Sequence, residues 1–165
     1  MKLRGKAHKF GDDINTDLII SGRYKFKTLN MAELAKHVME DIDPAFARKV
    51  KPGDFLVAGK NFGMGSSREQ APLVIKCAGV SAVIAKSFAR IFYRNAINCG
   101  LPALICDTDM IDQGDRLELD LTSGLIYDST KKIDIRTEPL PGFMTEILAD
   151  GGLGAYFKKH GEFKL

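Results

Sequence analysis

Residues 54–106 read as buried strand, helix, buried strand, helix, buried strand, and this alternation narrows the fold more than any other feature of the chain. "DFLVAG" (54–59), "VSAVIAK" (80–86) and "LPALIC" (101–106) are short apolar runs bounded by turn-formers. Between them "SREQAPLVIKCAG" (67–79) reads as a helix closed by Gly79. Pro72 is confined to its first turn, since a proline has no N–H to donate further in. "SFARIFYRNAINCG" (87–100) reads as a second helix, capped by Ser87 and ended by Gly100. Strands connected in this way lie parallel through right-handed crossovers. From residue 114 the pattern changes. "DRLELDL", "GLIYDS" and "KKIDIRT" alternate apolar with polar residues and are joined by turn signals, notably Thr122-Ser123-Gly124, as in an antiparallel meander with one wet face. The expected fold class is α/β: a parallel strand–helix core with an antiparallel β extension, in one domain spanning 1–165.

Outside that core, "LRGKAHKF" alternates like a strand and "DDINTD" breaks it with turn-formers. "LNMAELAKHVMEDI" places Met31, Leu34, Ala35, Val38 and Ile42 at helical spacing with Asn30 as N-cap, and "GFMTEILADGG" reads as a closing helix. Hydrophobic residues at 45% and charged residues at 27% suit a soluble globular chain. A net charge of +3 with no Lys/Arg block argues against nucleic acid, and no run reaches the roughly 20 apolar residues a membrane span needs. "MKLRGKAHKFGDD" lacks the apolar stretch of a signal peptide, so a cytoplasmic location is expected. Cys77, Cys99 and Cys106 match no C-x-x-C pattern and sit in apolar contexts, which suggests buried free thiols rather than metal ligands.

The chemistry concentrates in "NFGMGSSREQAP" (61–72). Ser66 and Glu69 have capping-box spacing, and Gly63 and Gly65 allow a sharp strand-to-helix turn. A cap needs only one hydroxyl, yet Ser67 adds a second and Arg68 a guanidinium. A helix N-terminus with an arginine fork suits a carboxylate, and a glycine-flanked serine beside it can handle a proton. Neither a phosphate-loop motif nor a G-x-S-x-G elbow is present, and His8, His37 and His160 lie far off in sequence, against a Ser–His hydrolase.

"NFGMGSSREQAP", followed by "AKSFARIFYRNAINCGLP" and preceded by "GDDINTDLIISGRY", resembles the small subunit of 3-isopropylmalate dehydratase and its homoaconitase relatives. That subunit is the swivel domain of the aconitase superfamily made as a separate chain, and the resemblance covers residues 1–157. It implies a swivelling β/β/α domain that works with a large catalytic subunit, as heterodimer or heterotetramer, on a hydroxy di- or tricarboxylic acid. Three cysteines of that large subunit would hold a [4Fe–4S] cluster, with no cofactor or metal on this chain. Carried over by position, Ser66 is the catalytic base, Ser67 and Arg68 bind substrate carboxylate, and Thr16, Asp17 and Gly65 buttress the site. Met64 departs from the cysteine expected between the two glycines.

"DDINTD" does not make a calcium loop: Leu18 stands where glycine is needed and Tyr24 where glutamate is needed. Arg90 and Arg94 share one helix face, which reads as a solvated arginine stripe for at least one of them. In "SGRYKFKTLN" (21–30), the segment that selects the substrate's third arm by resemblance, Phe26 suits an isopropyl group and Lys25 or Lys27 a carboxylate. The expected activity is isomerisation of isopropylmalate in leucine biosynthesis. Homoaconitate or 2,3-dimethylmalate as substrate, or a non-catalytic carboxylate-binding module, are the alternatives.

Overall fold

The computed structural model describes residues 1–66 and 69–162. Its centre is a seven-stranded mixed sheet ordered β4-β3-β2-β1-β5-β6-β7. The strands are β1 Lys2–Lys9, β2 Phe55–Val57, β3 Ala82–Ala85, β4 Ala103–Ile105, β5 Arg116–Asp120, β6 Leu125–Asp128 and β7 Ile133–Arg136. β1 is the hinge of the sheet. Its last residues pair parallel with β2 (Ala7 opposite Phe55, Lys9 opposite Val57), and its first five pair antiparallel with β5 (Lys2 opposite Asp120, Lys6 opposite Arg116).

The apolar runs at 55–57 and 82–85 are buried at every position because both faces of the parallel half are covered. Alternate side chains go to opposite layers. Leu56, Ala58, Val83 and Ala85 face the helices, joining Leu34, Val38, Phe46, Val74 and Ile75. Phe55, Val57, Ala82 and Ile84 face the meander and meet Leu117, Leu119, Ile126 and Ile135. Each large side chain fully buried there stabilises the fold by about 1.5–3 kcal/mol. The layering is β/β/α, as the resemblance implied.

The helices are α1 Thr16–Ile19, α2 Gly22–Lys25, α3 Met31–Ala35, α4 Phe46–Lys49, α5 Gln70–Cys77, α6 Arg90–Asn98, α7 Gly142–Ala149 and α8 Leu153–His160. Among the described residues none is long and apolar enough to cross a membrane. The helix read over 29–42 is capped by Asn30 as expected, through bonds from the Ala32 and Glu33 N–H groups, but it ends at Ala35. Met39, buried at φ 58°, donates its N–H to the Ile19 carbonyl (2.8 Å), so a tertiary contact replaces the helical bond.

Two cap assignments are corrected. α5 starts at Gln70 with Glu69 at its N-cap and no side-chain cap, so the Ser66–Glu69 capping box does not form. With Ser66 as cap, Pro72 would sit where an intrahelical N–H is required; a start at Gln70 leaves it third, where none is. α6 starts at Arg90, also without a side-chain cap; the Ser87 hydroxyl instead accepts the Asn61 N–H at 2.8 Å.

In the meander, Asp115 and Asp128 form a buried acid pair. Asp128 Oδ1 accepts the Thr130 and Lys131 N–H groups, while its buried Oδ2 has no N–H or hydroxyl donor among the described residues. Burial and then the facing Asp115 push the Asp128 carboxyl up, which favours its protonated form. Burial opposes ionisation of Asp115 as well. The Asp112 N–H, the Lys131 ammonium and Asp128 outweigh it and hold Asp115 below the usual carboxylate range. Below the raised Asp128 value the folded state holds a proton that the unfolded chain releases above 3.8, and this contribution to stability is lost as pH rises through that raised value. Asp128→Asn supplies the donor without a proton and is expected to stabilise the fold by about 1 kcal/mol at pH 7. Thermal unfolding from pH 4 to 7 should show the Tm gap over wild type widening with pH; a constant gap would mean that Asp128 is ionised.

Candidate active site around Ser66

The segment after β2 is tied down on both sides. On one, Asp13 donates its N–H to the Lys60 carbonyl (2.8 Å), Gly63 to Ile14 (2.7 Å) and Thr16 to Met64 (2.9 Å). On the other, the Phe62 N–H bonds the Ser87 carbonyl (3.1 Å) and Ala89 returns the bond to Phe62 (2.9 Å). The Phe62 ring is fully buried, edge-on to Phe88 and Phe92. Gly63 (φ 83°) and Gly65 (φ 98°) take left-handed conformations that bring the chain back over the start of α6.

This route places Ser66 at the surface of a cleft of about 190 Å³ lined by Thr16, Gly63, Gly65, Ser66, Arg90 and Phe92. Thr16 is buried, and its hydroxyl donates to the Ser66 carbonyl at 3.2 Å, so it holds the serine backbone. Asp17 forms an ion pair with the Lys25 ammonium at 3.3 Å. Ser67 and Arg68 lie outside the described residues. Phe26 is 83% exposed and Lys27 is exposed, and neither lines the cleft.

Two residues that the sequence named without placing them emerge here. Arg90, read as part of a solvated stripe, lines the cleft as the first residue of α6 and brings a fixed positive charge to it. Lys25 is the inward-facing lysine of the 21–27 segment, with its ammonium 5.3 Å from the Phe26 ring centroid. Neither has a sequence signature, because which lysine turns inward depends on how α2 packs.

The cysteines do not converge. Burial pushes the Cys106 thiol up to about 12 and also raises Cys99, whose Sγ bonds the Ala96 carbonyl, while Cys77 is exposed. Among the described residues no group of three His, Cys, Asp or Glu is placed to hold a metal ion. Thiols in separate environments do not fit an iron–sulfur cluster, which needs converging thiolates.

Residues 8–108, which include the whole cleft, match the family model of the aconitase C-terminal domain. The chain belongs to the aconitase C-terminal domain family. Within that family it is 67% identical, over all of both chains, to the 3-isopropylmalate dehydratase small subunit 2 of Archaeoglobus fulgidus. It is 61% identical to the corresponding small subunit of Halothermothrix orenii, covering 93% of each chain. The crystal structure of 3-isopropylmalate dehydratase from Methanocaldococcus jannaschii has the same fold. Its TM-score is 0.93 at 55% identity, covering 98% of this chain and 96% of that one. As an aconitase C-terminal domain, the chain has its glycine–serine turn where β2 feeds α5.

Proposed function

We propose that this chain is the small subunit of a two-subunit hydro-lyase that interconverts 2-isopropylmalate and 3-isopropylmalate in leucine biosynthesis, by dehydration and rehydration. The observation that carries the reading is the placement of Ser66. It stands in a cleft at a left-handed glycine turn, with its carbonyl fixed by the buried Thr16 hydroxyl. Ser66 Oγ takes the proton from the carbon next to a substrate carboxylate and returns one on rehydration. The electron pair left on that carbon moves into the carboxylate, which becomes a dianion and needs fixed positive charge around it. Arg90 supplies one such charge, and Ser67 with Arg68, the next residues in sequence, bind the same carboxylate. Departure of the hydroxyl is assigned to the large subunit. The [4Fe–4S] cluster belongs there too, since the cysteines of this chain do not suit one. In the assembled enzyme, Phe26 packs on the isopropyl arm and Lys27 stays outside.

The test is reconstitution with an aconitase-type large subunit and parallel assay on 3-isopropylmalate, homoaconitate and 2,3-dimethylmalate. Isopropylmalate is expected to give the highest kcat/KM. Phe26→Arg should shift the isopropylmalate-to-homoaconitate ratio by about tenfold or more, because its guanidinium has no partner on an isopropyl group. Lys27→Ala should leave the ratio unchanged. Loss of the native reaction in Lys27→Ala, with Phe26→Arg silent, would move the substrate to one bearing a third carboxylate. Absence of turnover on all three acids would leave a carboxylate-binding module.

A further inference from the structure

Where β1 leaves β2 to pair with β5, the sheet turns a corner whose concave side carries uncompensated positive charge. A groove of about 500 Å³ there is lined by Arg4, Lys6, Lys49, Lys51 and Arg116, against only two acids, Asp54 and Glu118. The register sets Arg4 opposite Glu118, and these two form an ion pair at 3.5 Å. The same register sets Lys6 opposite Arg116, and like charges facing across an antiparallel pair cost free energy. Lys49 is neutralised by Asp43 at 3.1 Å. Among the described residues no acid forms an ion pair with Lys6, Lys51 or Arg116.

Asp54 is the acid best placed to compensate them, and its oxygens are committed inward. It is 6% exposed; Oδ1 accepts the Lys6 N–H (3.0 Å), and Oδ2 accepts His8 Nε2 (2.8 Å) and the Lys51 N–H (2.9 Å). The crowding of cations is built into the backbone. A Cβ on Gly5 would lie 2.1 Å from the Gly53 carbonyl oxygen, so glycine there lets the 51–54 turn close onto β1 and bring Lys51 up to Lys6.

A concave surface of one sign focuses potential and gathers counter-ions. An arginine fork matches phosphate oxygens in pairs, and lysines add point charges. We propose that this corner binds a small multiply charged phosphate, such as pyrophosphate or the phosphate chain of a nucleoside di- or triphosphate, through Lys6, Lys51 and Arg116. The groove volume falls within the roughly 300–1,000 Å³ typical of small-ligand sites. Three unpaired cations favour a polyanion over a single carboxylate. The groove and the Ser66 cleft share no lining residue, so the two sites are separate.

Isothermal titration of the full chain with pyrophosphate, tripolyphosphate and ATP at low ionic strength tests this. One-to-one binding with Kd below about 1 mM is expected. Lys6→Gln/Arg116→Gln should weaken it by about tenfold or more, and Glu118→Gln, which releases Arg4, should strengthen it. All three side chains are exposed, so the variants should fold. Pyrophosphate should raise the Tm of wild type and not of the double variant, whose hydro-lyase activity in the reconstituted enzyme should be unchanged. No saturable heat, equal binding by wild type and double variant, or equal displacement by chloride at matched ionic strength would each overturn the proposal.

Discussion

Ser66→Ala is expected to lower kcat of the reconstituted enzyme by about 10³-fold or more, with substrate binding kept within about tenfold. In the proposed mechanism the hydroxyl takes the proton, so its loss is felt in the transition state more than in the bound ground state. The fold should barely notice. Ser66 is exposed and does not cap α5, and its contact with Thr16 runs through its backbone carbonyl, which alanine keeps. Steady-state kinetics beside thermal unfolding decide the matter. A near-normal rate with a lowered Tm would make Ser66 a structural residue and remove the base from the proposed mechanism.

Gly63→Ala should cause the largest loss of stability of any single methyl addition near the site. Two costs add. At φ 83° an L-residue pays about 1–2 kcal/mol for the left-handed conformation. The new Cβ would also lie 2.2 Å from Phe92 Cγ and 2.4 Å from Phe92 Cβ, forcing α6 or the turn to move, and overpacking of this kind costs about 1–3 kcal/mol more. The sum of about 2–5 kcal/mol corresponds to a fall in Tm of very roughly 10 °C for a chain of this size. Gly65→Ala is the control. Its Cβ would meet atoms of Thr16 and Asn15 at ordinary distances of 3.5 Å and more, so it should show the conformational cost alone. If both variants melted alike, contact with Phe92 would not be what fixes the turn over α6.

The layered plan was legible because the segments that make it carry their own periodicity. Residues 55–57, 82–85 and 103–105 are continuous apolar runs since both faces are covered, and residues 116–136 alternate since one face is wet. Gly63 and Gly65 were legible as a sharp turn and Ser66 as a candidate group beside it, whereas Thr16 entered only through the family resemblance. The four-residue helices α1, α2 and α4 were not legible, for one turn buries too few side chains to leave a pattern. α8 was missed beside Gly151, Gly152 and Gly154, its N-cap being Gly152 at φ 127°.

What the sequence determined by itself was the order of strands and helices, the two-faced burial of the centre and the types of residue at the turn. Those follow from local periodicity and backbone conformational cost, which each segment carries alone. The tertiary structure decided the rest: that Ser87 latches a loop instead of a helix, that Arg90 reaches the cleft, and that Lys6 faces Arg116. Each depends on the distance between residues far apart in the chain, and packing and strand register, which no local pattern encodes, set those distances.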